Sequence, residues 1–182
     1  MKDHMRAPPL AATDWFNSAP LTLEALRGNV VVLGTFQMLC PGCVSTGLPQ
    51  LQRIHEGFDR KQVVVIGLHT VFEHHTAMTP VALKAFLYEY RVGFPVAVDE
   101  PSADTDVPVT MLRYGFQGTP SLALIDKTGQ LRLKRFGHEP DLLLGAAIAR
   151  LVLENENEAS LDEKTRLSDD ERGVCAPGQG CS

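Results

Sequence analysis

Two runs of β-branched and aliphatic residues, Val30–Thr35 (VVVLGT) and Val63–Thr70 (VVVIGLHT), flank a segment whose apolar residues recur at helical spacing. Neither run alternates apolar with polar, so each predicts a strand covered on both faces, as in a parallel sheet flanked by helices. Between them Leu48, Leu51, Ile54, His55 and Phe58 predict a helix over Cys43 to Phe58, with Pro49 as a kink inside it. Gly28 and Asn29 supply the turn that enters the first strand. Thr79–Tyr90 predicts a second helix and Pro95–Asp99 (PVAVD) a short third strand. The pattern then changes. Pro120–Asp126 (PSLALID), the turn Lys127-Thr128-Gly129 and Leu131–Phe136 (LRLKRF) predict an antiparallel hairpin, followed by an amphipathic helix from Asp141 to Leu153. The expected fold is α/β: a central mixed sheet made of a βαβ half and a ββα half, flanked by helices, with a helix and strand inserted between the halves.

Charge is distributed unevenly along this frame. Residues 154–182 hold eight acidic and three basic residues of a chain whose net charge is −5, so residues 1–153 balance at fourteen of each sign. The expected domain is therefore residues 1–153, and residues 154–182 are an acidic, flexible tail too polar to pack a core. A balanced domain has no basic footprint, which argues against a nucleic-acid partner. The N-terminal stretch MKDHMRAPPLAATDW contains no continuous apolar core, and no later segment has the uninterrupted apolar length of a membrane span. Cytoplasmic placement without membrane insertion is the expectation. The sequence leaves the oligomeric state open.

Cys40 and Cys43, in TFQMLCPGCVSTGLPQL, fall where the first strand gives way to the helix. In a reducing compartment a close cysteine pair is more often catalytic or metal-binding than a structural disulfide. At a helix N-terminus the unpaired backbone N–H groups and the positive end of the helix dipole favour a thiolate, which marks Cys40 as the nucleophile. Cys43, one turn on, is placed to attack the mixed disulfide that results. Pro41 suits a first helical turn because its missing N–H would have no partner there, and Gly42 leaves room for a partner chain.

The strand order and CPGC together resemble the thioredoxin superfamily, specifically its TlpA/ResA group. The residues that carry the resemblance are Ala7-Pro8, Trp15, Asn17, PLTLEALRGNVVVL, CPGC with Pro49 following, VVVIGLHTVFE, PVAVD and GTPSLALIDKTGQLRLKRFG, covering residues 8–153. The most similar members are the thioredoxin-like domains of DipZ-type and NHL-repeat-containing proteins. The resemblance implies a thiol-disulfide oxidoreductase with Cys40 and Cys43 as the redox pair and Pro120 as a cis-proline beside them. It implies no cofactor, and its partners are protein disulfide substrates and an upstream electron donor. Two positions depart from the family pattern. Leu39 stands where a tryptophan usually precedes the first cysteine, and Gly34 stands where Asp or Asn often serves proton transfer.

If the two apolar strands run parallel, His69, Glu73, His74 and His75 come to the same sheet edge as the dithiol. His69 could then tune a thiolate or carry a proton; the plainer reading is that it caps a strand while His74 and His75 face solvent. Phe36, Met38 and Leu39 are candidates either for an apolar lip around the dithiol or for the core. Three further readings stay open. A peroxiredoxin-like peroxidase would carry threonine three residues before the reactive cysteine, where this chain has Gln37. A metal-binding or redox-sensing module would use Cys40, Cys43, Cys175 and Cys181, the last two forming a C-x5-C pair in GVCAPGQGCS. The tail pair could also exchange electrons with Cys40–Cys43 as an auxiliary dithiol.

Overall fold

The computed structural model describes residues 5–154. Its centre is one six-stranded mixed sheet in the order β1-β4-β3-β2-β5-β6. The strands are β1 (Ala12–Phe16), β2 (Val30–Phe36), β3 (Val63–His69), β4 (Val96–Asp99), β5 (Ser121–Ile125) and β6 (Leu131–Phe136). The helices are α1 (Leu48–Gly57), α2 (Pro80–Glu89), α3 (Val109–Tyr114) and α4 (Asp141–Leu153). Strands β2, β3 and β4 run parallel, while β1, β5 and β6 are antiparallel to their neighbours. The βαβ and ββα halves and the inserted α2–β4 unit thus take the arrangement expected from the sequence. Among the described residues no helix is long and apolar enough to cross a membrane.

Every residue of β2 is buried because the strand is central and both its faces are covered. Val30, Val32 and Phe36 join the core that holds Leu51 and Ile54 of α1, Leu83 and Leu87 of α2, and Leu144, Ile148 and Leu151 of α4. Val31 and Leu33 face the opposite core, with Met111 and Tyr114 of α3 and Leu23 of the N-terminal segment. Lys134 and Arg135, both exposed, lie on β6 at the sheet edge, where charge opposes pairing with another chain.

Two elements were not expected. β1 pairs with β4 across a register shift between Ala12 and Asp14, and its mixed sequence, ATDWF, lacks a two-residue alternation. α3 has only six residues, too few for a periodic pattern, and its start is fixed by a distant side chain. The Asp99 carboxylate at the end of β4 accepts from the backbone N–H groups of Thr110 (2.8 Å) and Met111 (3.1 Å) and from the Thr70 hydroxyl (3.0 Å). Gly115 then closes α3 at φ 59°, a conformation that glycine adopts without strain.

The helix after Cys40 is not uniform. Residues Cys43–Gly47 form a π-helical turn in which the Leu48 N–H donates to the Cys43 carbonyl, and regular α-helix resumes at Leu48. Pro49, expected as a kink, falls at the start of that regular segment, where it has no N–H to place.

Candidate active site

Three strand ends meet at the dithiol. β2 delivers Phe36 and the turn to Cys40; its register pairs Phe36 with His69 on one side and Thr35 with Ser121 on the other. Thr35 locks that second pairing, its Oγ accepting from the Ser121 N–H at 2.9 Å. The residues just before Ser121, Thr119 and Pro120, therefore lie over the CPGC turn, and the peptide bond between them is cis. Pro120 also packs on the start of the helix: a Cβ on Gly42 would lie 3.5 Å from its Cδ, and one on Gly47 would lie 3.1 Å from its Cβ.

Cys40 and Cys43 are free thiols in unlike environments. Cys40 is half-buried and follows a turn in which its N–H donates to the Gln37 carbonyl at 3.2 Å. Its Sγ accepts the Cys43 N–H at 3.3 Å and donates to the Thr119 carbonyl at 3.5 Å. An N–H aimed at Cys40 Sγ supports negative charge there. Cys43 is fully buried, and burial pushes its thiol up to about 12, assisted by the Cys40 thiol beside it and opposed by hydrogen bonds from the Gln37 backbone and the Thr119 side chain. One sulfur is reachable and the other is shielded.

The other residues of interest divide between core and surface. His69 is fully buried, its ring 5.2 Å from that of Phe36, and neither ring nitrogen has a hydrogen-bond partner among the described residues. Burial lowers it to about 4, so the ring is neutral near pH 7. His74 and His75 are exposed. Phe36 and Met38 belong to the core, while Leu39 is 58% exposed beside Cys40. Among the described residues no three His, Cys, Asp or Glu side chains converge as metal ligands. Cys175 and Cys181 lie outside the described residues, so the tail readings rest on sequence alone.

Gln37 and Thr119 are the residues whose contacts the sequence did not reveal. Gln37 is buried; its Oε1 accepts from the Phe72 N–H and its Nε2 donates to Glu73 Oε1, both at 3.3 Å. An amide in the otherwise apolar run leaving β2 was the available signal. Gly34 faces the Cys43 side of the sheet, and a Cβ there would lie 2.5 Å from Leu51 Cδ1. The space that a side chain at position 34 would need is filled by Leu51.

The AhpC/TSA family pattern matches residues 5–134. The chain belongs to that family, within the thioredoxin-like superfamily. A crystal structure of a thioredoxin-like superfamily protein is 56% identical, with a TM-score of 0.81 over 83% of this chain and 98% of that one. The crystal structure of a thiol-disulfide isomerase from Corynebacterium glutamicum is 50% identical, with a TM-score of 0.79 over 82% of this chain and 98% of that one. Thiol-disulfide oxidoreductase ResA from Bacillus thuringiensis (strain Al Hakam) is 27% identical over 125 residues, covering 69% of this chain and 64% of that protein. The last match thus spans less than two thirds of its relative. The TlpA/ResA-like resemblance of the sequence agrees with these matches.

Proposed function

We propose that this AhpC/TSA-family chain is a thiol-disulfide oxidoreductase in which Cys40 attacks a client disulfide and Cys43 resolves the mixed disulfide. The contrast between the two sulfurs carries the reading: Cys40 is half-buried and receives the Cys43 N–H at 3.3 Å, whereas Cys43 has no exposed surface. In the first step Cys40 thiolate bonds to one client sulfur, the client S–S bond breaks, and the other client sulfur leaves as a thiolate that takes a proton from water. In the second, Cys43 bonds to Cys40 Sγ and the client's remaining thiol is released. The client gains two electrons, and a separate dithiol donor restores Cys40 and Cys43. Pro120, seated on Gly42 and Gly47, walls the side from which a client approaches. The names carried by the ResA and isomerase relatives support this class of chemistry.

The peroxidase reading is weaker because Gln37 stands where a peroxidase would place threonine, and its amide is committed to Phe72 and Glu73. A Cys43→Ser protein tests both readings. Incubated with insulin, it is expected to accumulate a dithiothreitol-reversible adduct on Cys40 that a Cys40→Ser protein does not form. No adduct, together with rapid consumption of peroxide by the unaltered protein, would replace the oxidoreductase reading with the peroxidase one.

A further inference from the structure

A second concave surface lies behind the loop that carries Pro120. Strand β5 begins at Ser121 and pairs there with Phe136, the last residue of β6, so the end of this ladder adjoins the dithiol loop. Lys134 and Phe136 are two apart on β6 and share a face of the sheet. Lys134 Nζ donates to the Tyr114 carbonyl, which makes that face the one packed on α3. It holds a cavity of about 240 Å³ lined by residues that include Phe116, Gln117, Ser121, Lys134 and Phe136. Sites for small molecules and cofactors usually enclose about 300–1,000 Å³, so this one suits a single side chain.

Its walls are of two kinds. Phe136 is 60% exposed and its ring lies against Gly118, where a Cβ would come within 2.9 Å of the ring's Cε2. Phe116, which is buried, adds a second ring. On the polar side, Lys134 Nζ donates to the carbonyls of Tyr114 at 2.8 Å and Gly115 at 3.3 Å, which holds the ammonium over the end of α3. An ammonium has three N–H groups, so one is left to donate. Among the described residues no carboxylate pairs with Lys134, and Glu139, the acid that follows β6, is bound to Arg135 at 3.1 Å.

We propose that this cavity is a client subsite for a glutamate side chain near the attacked cysteine, with its methylenes on Phe136 and its carboxylate on Lys134. An apolar side chain would take water from the ammonium and return no acceptor, and a basic one would meet a like charge. The cavity is within reach of the chemistry. From the Phe136 ring the route to the nucleophile runs through Gly118 and Thr119, whose carbonyl accepts the Cys40 S–H at 3.5 Å. Two residues of extended chain span roughly 7 Å and return the side chain to the same face, so the glutamate belongs about two positions from the client cysteine. The inference rests on the oxidoreductase reading above and leaves its chemistry unchanged: Cys40 attacks, and two electrons pass from the dithiol to the client disulfide.

The test uses the reduced full chain and three symmetric peptide disulfides, whose single cysteine is flanked at the second position on both sides by glutamate, glutamine or lysine. Single-turnover release of peptide thiol, followed by chromatography, gives a second-order rate constant for each. Dividing it by the same peptide's rate with dithiothreitol removes the peptide's own reactivity. At low ionic strength the glutamate peptide is expected to react about fivefold faster than the glutamine peptide, the upper end for a partly exposed ion pair, and the lysine peptide more slowly than either. The advantage should shrink in about 1 M salt and vanish when the glutamates are moved to the far end of the peptide. In Lys134→Met the glutamate-to-glutamine ratio should fall to about one whatever the absolute rate, and Lys134→Arg should keep the preference. Equal rates for the three peptides with the unaltered protein would overturn the subsite, as would a preference that survives displacement of the glutamates or Lys134→Met. If none of the three is reduced, the oxidoreductase reading itself fails, a result distinct from uniform reduction of them all.

Discussion

Replacing His69 by leucine should remove a specific acid sensitivity of the fold. The imidazole is fully buried, and burial lowers it from 6.5 to about 4. The unfolded chain therefore takes up a proton that the folded chain refuses across that interval, so stability falls as pH drops from 6.5 towards 4 and is unaffected by this group at higher pH. The displacement corresponds to roughly 3 kcal/mol in full, with about 2.5 kcal/mol of it lost by about pH 4.5. Full burial means that solvent screening does not reduce this figure. Leucine is close in volume and does not titrate, so His69→Leu should shed this loss whatever its stability at neutral pH. The assay is urea unfolding of both reduced proteins between about pH 7.5 and about pH 4.5, scored as the pH dependence of their difference in unfolding free energy. Other titrating groups, including His55 and Asp99, are common to both proteins and cancel in that difference. Stability curves that run parallel within about 0.5 kcal/mol would refute the argument and show that the buried ring finds a proton partner.

Alkylation of the reduced native protein near neutral pH should modify Cys40 and leave Cys43 untouched until the chain unfolds, because Cys43 is fully buried and its thiol is raised to about 12. Peptide mass spectrometry that finds equal labelling, or faster labelling of Cys43, would remove the assignment of nucleophile and resolving thiol. Gly34→Ala should destabilise the fold by about 1–3 kcal/mol through overpacking, because the new Cβ would meet Leu51 Cδ1 at 2.5 Å. Adding Leu51→Ala should cost less in that background than alone, and a double-mutant cycle with no coupling would show that the clash is relieved elsewhere.

The sheet was legible because its central strands carry unbroken apolar runs, and because CPGC marks a strand-to-helix junction by chemistry as well as by pattern. The Val30 and Val63 strands and the hairpin at Leu131 start where the sequence placed them. β1 and α3 were not legible, for a common reason: each is fixed by distant partners. β1 takes its register from β4, and α3 is capped by Asp99, neither of which leaves a local periodicity. The apolar residues before Cys40 show the same limit at the site. Phe36, Met38 and Leu39 look alike in sequence, but strand register turns the first into the core while the turn that follows exposes Leu39.

The departure at Gly34 has its physical basis in the packing of α1 on β2. A carboxylate on that face of β2 would need both space and solvation, and Leu51 supplies neither. With the leucine in place the helix packs directly on the strand, and Cys43 is sealed on the side where a buried acid would have opened a polar channel. The leucine that excludes an acid at position 34 thus belongs to the same apolar packing that keeps Cys43 dry and raises its thiol to about 12.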